Sequence, residues 1–437
     1  MNDSGSPRGG EAAADQADLV LVGAGGAGLA VLHALAHRDL TDGLPGPVRV
    51  VVVDPVPDHD TEARHRTWCF WAQGDVSVAP AVHATWQQVR VSDATRDLVL
   101  DLAPYRYHLV RSPDLAALVA DEVARAPRLH VERVVAPAEQ VVSCRDHAHV
   151  EVAGRSLRAS LVLDSRPARP AVAGRVFWWQ HFRGWTLPPG SLPERRGAGP
   201  VASLMDFRTA QPAAGLSFGY LLPLPDGRAL AEYTEFSPDR LDDAGYDRAL
   251  RGYLDLLGVG RDVVPDHVET GAIPMTDGRF DRHVASRVVR IGTAGGATRG
   301  STGYTFAAML RDGAAVAAAV ADGALAGPGA VRLPPAYPAR HRWMDGVQLQ
   351  ALDAGRIDGP RFFTDLFARR PAAQVLSFLD GTTDLVEDLG IMAASPTWPM
   401  TWTAVRAGLG GPWPRRRGGQ DRVPAVPVPT TGQPAPR

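Results

Sequence analysis

Apolar and polar positions follow three different regimes along this chain, and each predicts a different architecture. Leu19–Val22 is a short run apolar at every position, and Val48–Val53, apolar except at Arg49, is another that ends at Asp54. Near-continuous apolar runs of this kind predict strands buried on both faces, as in a parallel sheet. Leu29–Arg38 between them predicts a helix, which gives a strand–helix–strand unit. Ser112–Val123 predicts a second helix with Ser112 as N-cap and Pro113 at its first position. Leu129–Val135, Ala148–Val152 and Leu161–Asp164 predict further strands. From Val176 to Phe236 the pattern changes to alternation rich in aromatics (FWWQHFRGW, SLMDFR, LSFGYLLPLP, ALAEYTEF), which predicts a β-rich unit. Ala307–Ala321 predicts a helix returning to the first unit, and Arg340–Leu409 is mainly helical and amphipathic. There are no internal repeats.

Two glycine-rich turns give this pattern a chemical meaning. Gly23-x-Gly25-x-x-Gly28, with Ala24 inside it, follows the first strand directly. Gly23 permits the tight turn, Gly25 lets the backbone approach a pyrophosphate, and Gly28 permits close helix–strand packing. The helix N-terminus then offers amides and partial positive charge to phosphates. The second turn, Ile291–Phe306 (IGTAGGATRGSTGYTF), follows the apolar Val288, Val289 and Ile291. A second, distant glycine segment of this kind is what a flavoprotein needs to close over the ribityl and isoalloxazine parts of FAD. Gly292, Thr293, Thr302 and Gly303 are the expected contacts there, Thr293 standing where many flavoproteins carry Asp. Asp54 sits where an acidic residue takes the adenosine ribose hydroxyls, although a strand end is also an ordinary place for a surface Asp.

The expected fold class is therefore α/β: a Rossmann-type FAD-binding domain with an inserted β-rich substrate domain and a helical C-terminal region. The expected boundaries are a disordered leader at 1–17, FAD-binding domain at 18–167 and 286–335, and substrate domain at 168–285. The helical region follows at 336–409, and a Pro-, Gly- and Arg-rich disordered tail at 410–437. At 437 residues, 45% apolar and 22% charged, the chain has the composition of an ordinary globular protein of more than one domain. A net charge of -2 gives no electrostatic reason to expect nucleic acid. All 46 basic residues other than His are Arg, so a Schiff-base lysine is excluded. Cys69 and Cys144 fit no familiar metal-ligand spacing and suggest a reducing compartment, and no metal is expected. The chain shows no signal-peptide pattern and no apolar run long enough to span a bilayer, so a cytoplasmic location is expected.

Among titratable residues, Glu232 stands in an apolar strand-like run behind Ala229, Leu230 and Ala231. A carboxyl group turned into an apolar interior has a raised pKa and can donate a proton near neutrality. The same residue could equally face solvent, and Glu235 competes with it. Asp206 and Asp164 share that ambiguity. Arg66 and Arg111 have the planar fork suited to phosphate or ribityl oxygens. His65, His108 and His181 lack ligand spacing, and Cys69 is more simply a small packed hydrophobe. The aromatics Phe177, Trp178, Trp179, Phe182, Trp185, Phe218 and Tyr220 are either packing or the wall of an apolar tunnel whose π faces steady a cation.

These segments together resemble the bacterial flavin-dependent lycopene cyclase family. RTWCFW (Arg66–Trp71), YRYHLVRSPDL (Tyr105–Leu115), VLDSRP (Val162–Pro167), WQHFRGW (Trp179–Trp185) and LMDFR (Leu204–Arg208) occur in that family's order. AEYTEFS (Ala231–Ser237), GAIPM (Gly271–Met275), STGYTF (Ser301–Phe306) and FLDGTTDLVEDLGIM (Phe378–Met392) continue it, over about residues 18–405. The chain departs from the family at Tyr233, where a second acid is usual, at Gly300 in place of Pro, and at Arg166-Pro167 in place of Arg-Gly.

The resemblance implies a lycopene β-cyclase of carotenoid biosynthesis, an intramolecular lyase or isomerase with Glu232 as its catalytic residue. A proton adds to C2 of a linear ψ end, the C5=C6 double bond attacks the resulting C1 cation, and loss of a proton from C6 leaves a β-ring. Two rounds give γ-carotene and then β-carotene. Reduced FAD is implied as cofactor without net electron transfer, with NAD(P)H as the source of its electrons. Lycopene and related carotenoids are then the ligands, and the membrane surface a partner. Ile391–Trp402 (IMAASPTWPMTW) offers Met and Trp for peripheral attachment at the inner face of the cell membrane. The alternatives are an FAD-dependent monooxygenase or prenyl/polyene reductase acting on an apolar substrate, or a non-catalytic flavin-binding partner.

Overall fold

The structure, a computed structural model, describes residues 15–40, 46–57, 60–193, 200–327 and 329–408. The expected disordered tail at 410–437 and most of the leader lie outside these residues. The leader ends earlier than expected. Asp15–Ala17 already belong to the first strand, because their backbone pairs in parallel register with Leu157–Ala159.

Three sheets carry the chain. In the first, β1 (Asp15–Val22) is central, flanked by β2 (Val48–Val53) and then β8 (Leu129–Val134) on one side. On its other side lies the long β11 (Arg155–Asp164), followed by β18 (Val288–Arg290) and β17 (His283–Ala285). A hairpin of β9 (Ala138–Ser143) and β10 (Ala148–Val152) adds to the edge of β11. β1 pairs in parallel with β2 and β11, and β18 pairs in parallel with β11, which is the sheet predicted from the near-continuous apolar runs.

Helix α1 (Gly26–His37) begins directly at the first glycine turn, three residues before the predicted start. It packs between α3 (Ser112–Arg125) and α5 (Phe306–Ala321). A Cβ on Gly313 of α5 would stand 2.3 Å from the carbonyl oxygen of Ala30 in α1, so these two backbones touch where no side chain fits. Ser112 is not the N-cap of α3. That position is Arg111, and the Ser112 hydroxyl instead donates to Arg64 O (2.8 Å) and accepts from the Arg66 amide (2.7 Å). The hydroxyl thus ties α3 to the turn after the short α2 (Thr61–Arg64).

The second sheet has seven strands in the order β16 (His267–Thr276), β12 (Phe177–Leu187), β15 (Ala229–Ser237), β14 (Leu216–Pro223), β13 (Ala202–Asp206), β5 (Gln88–Ser92) and β6 (Asp97–Asp101). The last two come from the first third of the chain and were not visible in the pattern. α4 (Asp243–Leu257) covers one face, packing Leu250, Tyr253 and Leu254 on Trp185, Leu187, Ala231 and Tyr233. The other face carries Trp178, Phe218, Tyr220, Leu230, Phe236 and Met275. Helices α6 (Ala339–Asp353), α7 (Gly359–Arg369) and α8 (Ala372–Asp380) pack on part of that face. α9 (Leu385–Ala394) and α10 (Thr397–Gly408) complete the helical region. A third, three-stranded sheet of β3 (Thr67–Gln73), β7 (Tyr105–Arg111) and β4 (Val82–Trp86) stands between the first and second sheets.

Gly313→Ala tests the α1–α5 approach. Ala is the better helix former by about 1 kcal/mol, yet its Cβ has no room against Ala30 O. Denaturant unfolding of the variant is expected to show a net loss of about 1–3 kcal/mol; unchanged or raised stability would contradict the contact.

Candidate active site

The two glycine segments meet. A Cβ on Gly292 (φ 62°) would lie 3.0 Å from Ala27 Cβ, in the first turn of α1. Within the first turn, Gly23 adopts φ 101°, and a Cβ on Gly28 would lie 2.4 Å from Gly23 O. Gly25 is the N-cap of α1, with nothing within 4 Å of its missing side chain. The turn therefore has bare backbone on its open side and backbone contact on its closed side, which is the cradle a pyrophosphate needs.

Asp54 lies at the end of β2, as predicted, and one carboxylate oxygen accepts from the Ala24 amide at 2.7 Å. The other accepts from Val56 N and from Arg64, both at 2.9 Å. Its carboxylate is thus at the turn and also braces it. Arg111 forks onto Asp114 (2.7 and 3.0 Å) at the start of α3, where its charge is felt by His65.

The second segment is laced by hydroxyls: Thr298 donates to Thr293 (3.0 Å) and bonds Thr305 (3.0 Å), which donates to Gly303 O (2.8 Å). Asp345 of α6 anchors it from below, accepting from Arg299 and Ser301, both at 2.8 Å. Arg299 is fully buried, with its guanidinium over the rings of Tyr337 and Phe378. Gly303 (φ 74°) lies against Gln180 on the second sheet, whose Oε1 would be 1.7 Å from any Cβ there. The buried Thr302 hydroxyl and Gln180 Oε1 have no protein partner among the described residues, a donor and an acceptor left for a ligand. The residues present fit a dinucleotide flavin: a phosphate cradle, a hydroxyl-laced second segment and unpaired polar groups where the two approach the sheet.

Strand parity decides between the candidate acids. Glu232 shares its face of β15 with Leu230, Thr234 and Phe236, and its register partner on β14 is Tyr220, all toward the site. Glu235 points the other way, under α4, where the Tyr233 hydroxyl donates to it at 2.8 Å and His181 stands 3.7 Å off. Asp164 is forked by Arg166 and Asp206 by Arg208, so both carboxylates are neutralised locally. Glu232 has no ion-pair partner among the described residues. Its one neighbour donor is the Thr234 hydroxyl, at 2.6 Å from Oε1.

The register on β12 explains how Glu232 fits. Its partner there is Gly184, and a Cβ on Gly184 would lie 3.5 Å from Glu232 Oε2. Across Gly184 on β16 stands Glu269, which accepts from the Thr67 amide of β3 at 3.1 Å. Glu232, Cys69 and Tyr304 keep some accessible surface although each lies deep within the protein mass, so that surface faces an internal space. Around it are Tyr220, whose hydroxyl is 3.5 Å from that of Tyr304, and Trp71, edge-on to Tyr304 at 4.5 Å.

Burial pushes the Glu232 carboxyl up to about 8, aided by the nearby Glu269 carboxylate and opposed by the Thr234 hydroxyl. Burial raises Glu269 as well, and lifts the Cys69 thiol to about 12, so that it stays protonated. His65, 4.0 Å from Glu269 and with its ring tilted against that of His267, is lowered to about 4 by burial and then by His267, and is neutral at pH 7. Sequence reasoning named neither Glu269, Tyr304 nor Trp71 as site residues. Glu269 could have been found only by aligning β16 on β12.

The family model described as "Lycopene cyclase protein" matches residues 18–405. No curated protein matches the chain. A geranylgeranyl bacteriochlorophyll reductase-like protein from Thermoplasma acidophilum superposes with a TM-score of 0.57 at 12% identity, covering 89% of this chain and 98% of its own. The p-nitrophenol 4-monooxygenase of Pseudomonas putida DLL-E4 gives 0.51 at 15% identity, over 90% and 98%. The flavin-dependent brominase Bmp2 gives 0.54 at 14%, over 84% and 94%. At these identities the likeness is one of fold.

The Thr234 contact predicts a direction. Its hydroxyl favours the Glu232 carboxylate, so Thr234→Val should move the titration of Glu232 above about 8. Carboxyl-stretch infrared difference spectra, assigned with Glu232→Gln, would read the shift; a fall in the titration point would contradict this geometry.

Proposed function

Since the chain belongs to the lycopene cyclase family, we propose that it is a lycopene β-cyclase in which Glu232 is the general acid. The observation that carries this is the placement of Glu232: a carboxyl without a cation partner among the described residues, protonated near neutrality, facing an internal space walled by Tyr220, Tyr304 and Trp71. A polyene is a poor base, so its protonation requires an acid kept out of water until the carbon approaches.

The Glu232 proton adds to C2 of the ψ end and leaves positive charge at C1. The C5=C6 π pair forms the C1–C6 bond, which moves the charge to C5. The C6–H bond then supplies the electrons of the ring double bond and its proton leaves to a carboxylate. One proton enters and one departs, so the step is redox-neutral. Glu269 places a second carboxylate on the same sheet face, one strand beyond Gly184, to receive that proton. The aromatic walls offer π density to the cation.

FAD would be held by Gly23, Ala24, Gly25, Gly28, Gly292, Thr293, Thr302 and Gly303, with Asp54 and Arg111 toward its ribose and phosphate side. Bound in its reduced form, with NAD(P)H as electron source, it would supply negative charge beside the cation. This reading keeps the division into a nucleotide domain (18–167 with 286–335), a substrate domain (168–285) and a helical region (336–409). The strands at 88–101 lend themselves to the substrate sheet.

The lipid-facing part of the proposal rests on α9 and α10. Leu385, Val386, Leu389 and Trp398 are 68%, 76%, 62% and 77% exposed, with Met392, Trp402 and Val405 beside them in sequence and also exposed. Among the described residues no helix is long and apolar enough to cross a membrane. Such helices instead lie in the interface, with their apolar side chains among headgroups. Of the segment expected to do this, Ile391 and Ala394 are core residues, while Met392, Trp398 and Trp402 are exposed and Leu385, Val386 and Leu389 before it extend the apolar surface. We place the protein at the inner face of the cell membrane.

Purified protein with lycopene in liposomes and chemically reduced FAD, without NAD(P)H and without oxygen, should yield γ-carotene and then β-carotene on HPLC. Glu232→Gln should lower kcat by about 10²–10⁴-fold. Because the protonated carboxyl is the active form, kcat/KM should hold on the acid side and fall as pH rises through about 8. Unchanged lycopene there, or stoichiometric NAD(P)H consumption with substrate in a parallel assay that supplies NAD(P)H, would replace this reading with the monooxygenase or polyene reductase. In flotation assays, Leu385→Asp, Val386→Asp and Trp398→Asp together should release the protein from anionic liposomes while detergent-solubilised lycopene is still converted. Retained flotation would exclude this patch.

A further inference from the structure

At the edge of the first sheet, far in sequence from the site above, the turn between β9 and β10 brings Cys144, His147 and His149 together. One donor atom from each lies within 4.8 Å of the other two. The Cys144 amide bonds His147 O at 2.8 Å, closing a tight turn, and His147 and His149, two residues apart on an extended segment, project to one side. The two Nε2 atoms are 3.0 Å apart.

Proton bookkeeping makes this contact informative. His147 Nδ1 lies 2.7 Å from the Asp146 carboxylate, which can only accept, so the ring carries a proton on Nδ1 and, in its neutral form, presents Nε2 as the ligating nitrogen. Ser156 spends its single hydroxyl proton on Glu151, 2.6 Å away, and toward His149 Nδ1, at 3.5 Å, it can then only accept. A neutral His149 with its proton on Nδ1 would suit that acceptor and leave its Nε2 free to bind a cation. Two ring nitrogens 3.0 Å apart need a cation between them, and that position can hold either a proton or a metal ion.

We propose that Cys144, His147 and His149 form a binding site for a divalent transition metal, with Zn²⁺ as the fitting ion. One thiolate and two imidazoles are a borderline-soft donor set typical of zinc. At the usual Zn–N distance of about 2.0–2.1 Å, nitrogens 3.0 Å apart fit a single ion. Both imidazoles already have the outer partner that orients a metal-bound histidine: Asp146 directly for His147, and Ser156 backed by Glu151 for His149. All three ligands are half-buried, within reach of solvent, and three protein ligands leave a fourth position for water. The contrast with His33, His37 and Glu122 is instructive. There both histidines point at the carboxylate, at 2.7 and 2.9 Å, and are satisfied without an ion.

The test uses full-length protein purified without an affinity tag and stripped with chelator, titrated with Zn²⁺ against a chromophoric competitor and separately with Co²⁺. One equivalent should bind, and the Co²⁺ adduct should show a thiolate-to-metal charge-transfer band and intense d–d bands. Cys144→Ser should abolish the charge-transfer band, and His149→Gln should weaken Zn²⁺ binding roughly tenfold or more. Zn²⁺ should raise the melting temperature of the native protein but not of His147→Gln/His149→Gln, whose circular dichroism serves as the folding control. The proposal is overturned by Zn²⁺ affinity equal in the native protein and that double variant, by a Co²⁺ spectrum without thiolate character, or by binding lost in His37→Gln instead.

Discussion

A carboxyl group buried beside apolar and aromatic side chains, with one hydroxyl neighbour and no cation, must keep its proton, and much of this structure serves to keep Glu232 in that condition. An arginine in reach would favour its carboxylate form, but Arg166 and Arg208 pair with Asp164 and Asp206 instead. Arg is the only long basic side chain this chain uses, and 46 of them are distributed so that none pairs with Glu232 among the described residues. The cost of burying the group is limited because it is buried neutral. Gly184 lies beside the group on the adjacent strand, where a Cβ would press on Leu230 Cδ1 at 3.2 Å and reach contact with Glu232 Oε2 at 3.5 Å.

The second glycine segment links the parts that must act together. It touches α1 through Gly292 and Ala27, the second sheet through Gly303 and Gln180, and the helical region through Arg299, Ser301 and Asp345. A buried Arg–Asp pair is expensive to desolvate and is retained only where its geometry is good. Here Asp345 takes a second bond from Ser301, and two rings cover the guanidinium. The pair fixes a loop whose hydroxyls and glycines are left open toward the proposed flavin, so a stability cost is spent on holding a binding surface in place.

The sequence was most legible where backbone geometry imposes a residue type. The strand β2 was found at its true limits because five valines in six positions admit few alternatives, and both glycine turns were visible because positive φ and close approach demand glycine. The choice between Glu232 and Glu235 was not legible, because alternation says that they face opposite ways but not which face holds the site. That depends on α4 covering one side, a tertiary fact. The strands β5 and β6 were missed because short half-exposed strands carry little periodic signal, and Ser112 was misassigned because its hydroxyl found a better use in joining α3 to the turn at Arg64 and Arg66. The Cys144-x-x-His147-x-His149 spacing was passed over for a similar reason. It suits a tight turn entering a strand, and only the turn's geometry brings the three donors together.

The two carboxylates flanking Gly184 also bear on how such a site could turn over. After one cyclisation Glu232 has lost its proton and Glu269 has gained one, if each acts as proposed. Both groups are raised by burial and each resists a charge on the other, so the pair holds one proton more stably than none. On this proposal the proton would return to Glu232 through the pair, with His65 standing beside Glu269 and His267 against His65. His65, neutral at pH 7 because burial and His267 lower it to about 4, adds no charge that would trap the proton on one side. If both carboxyls act as proposed, two such groups in a shielded site would reset for a second ring without an external acid stronger than water.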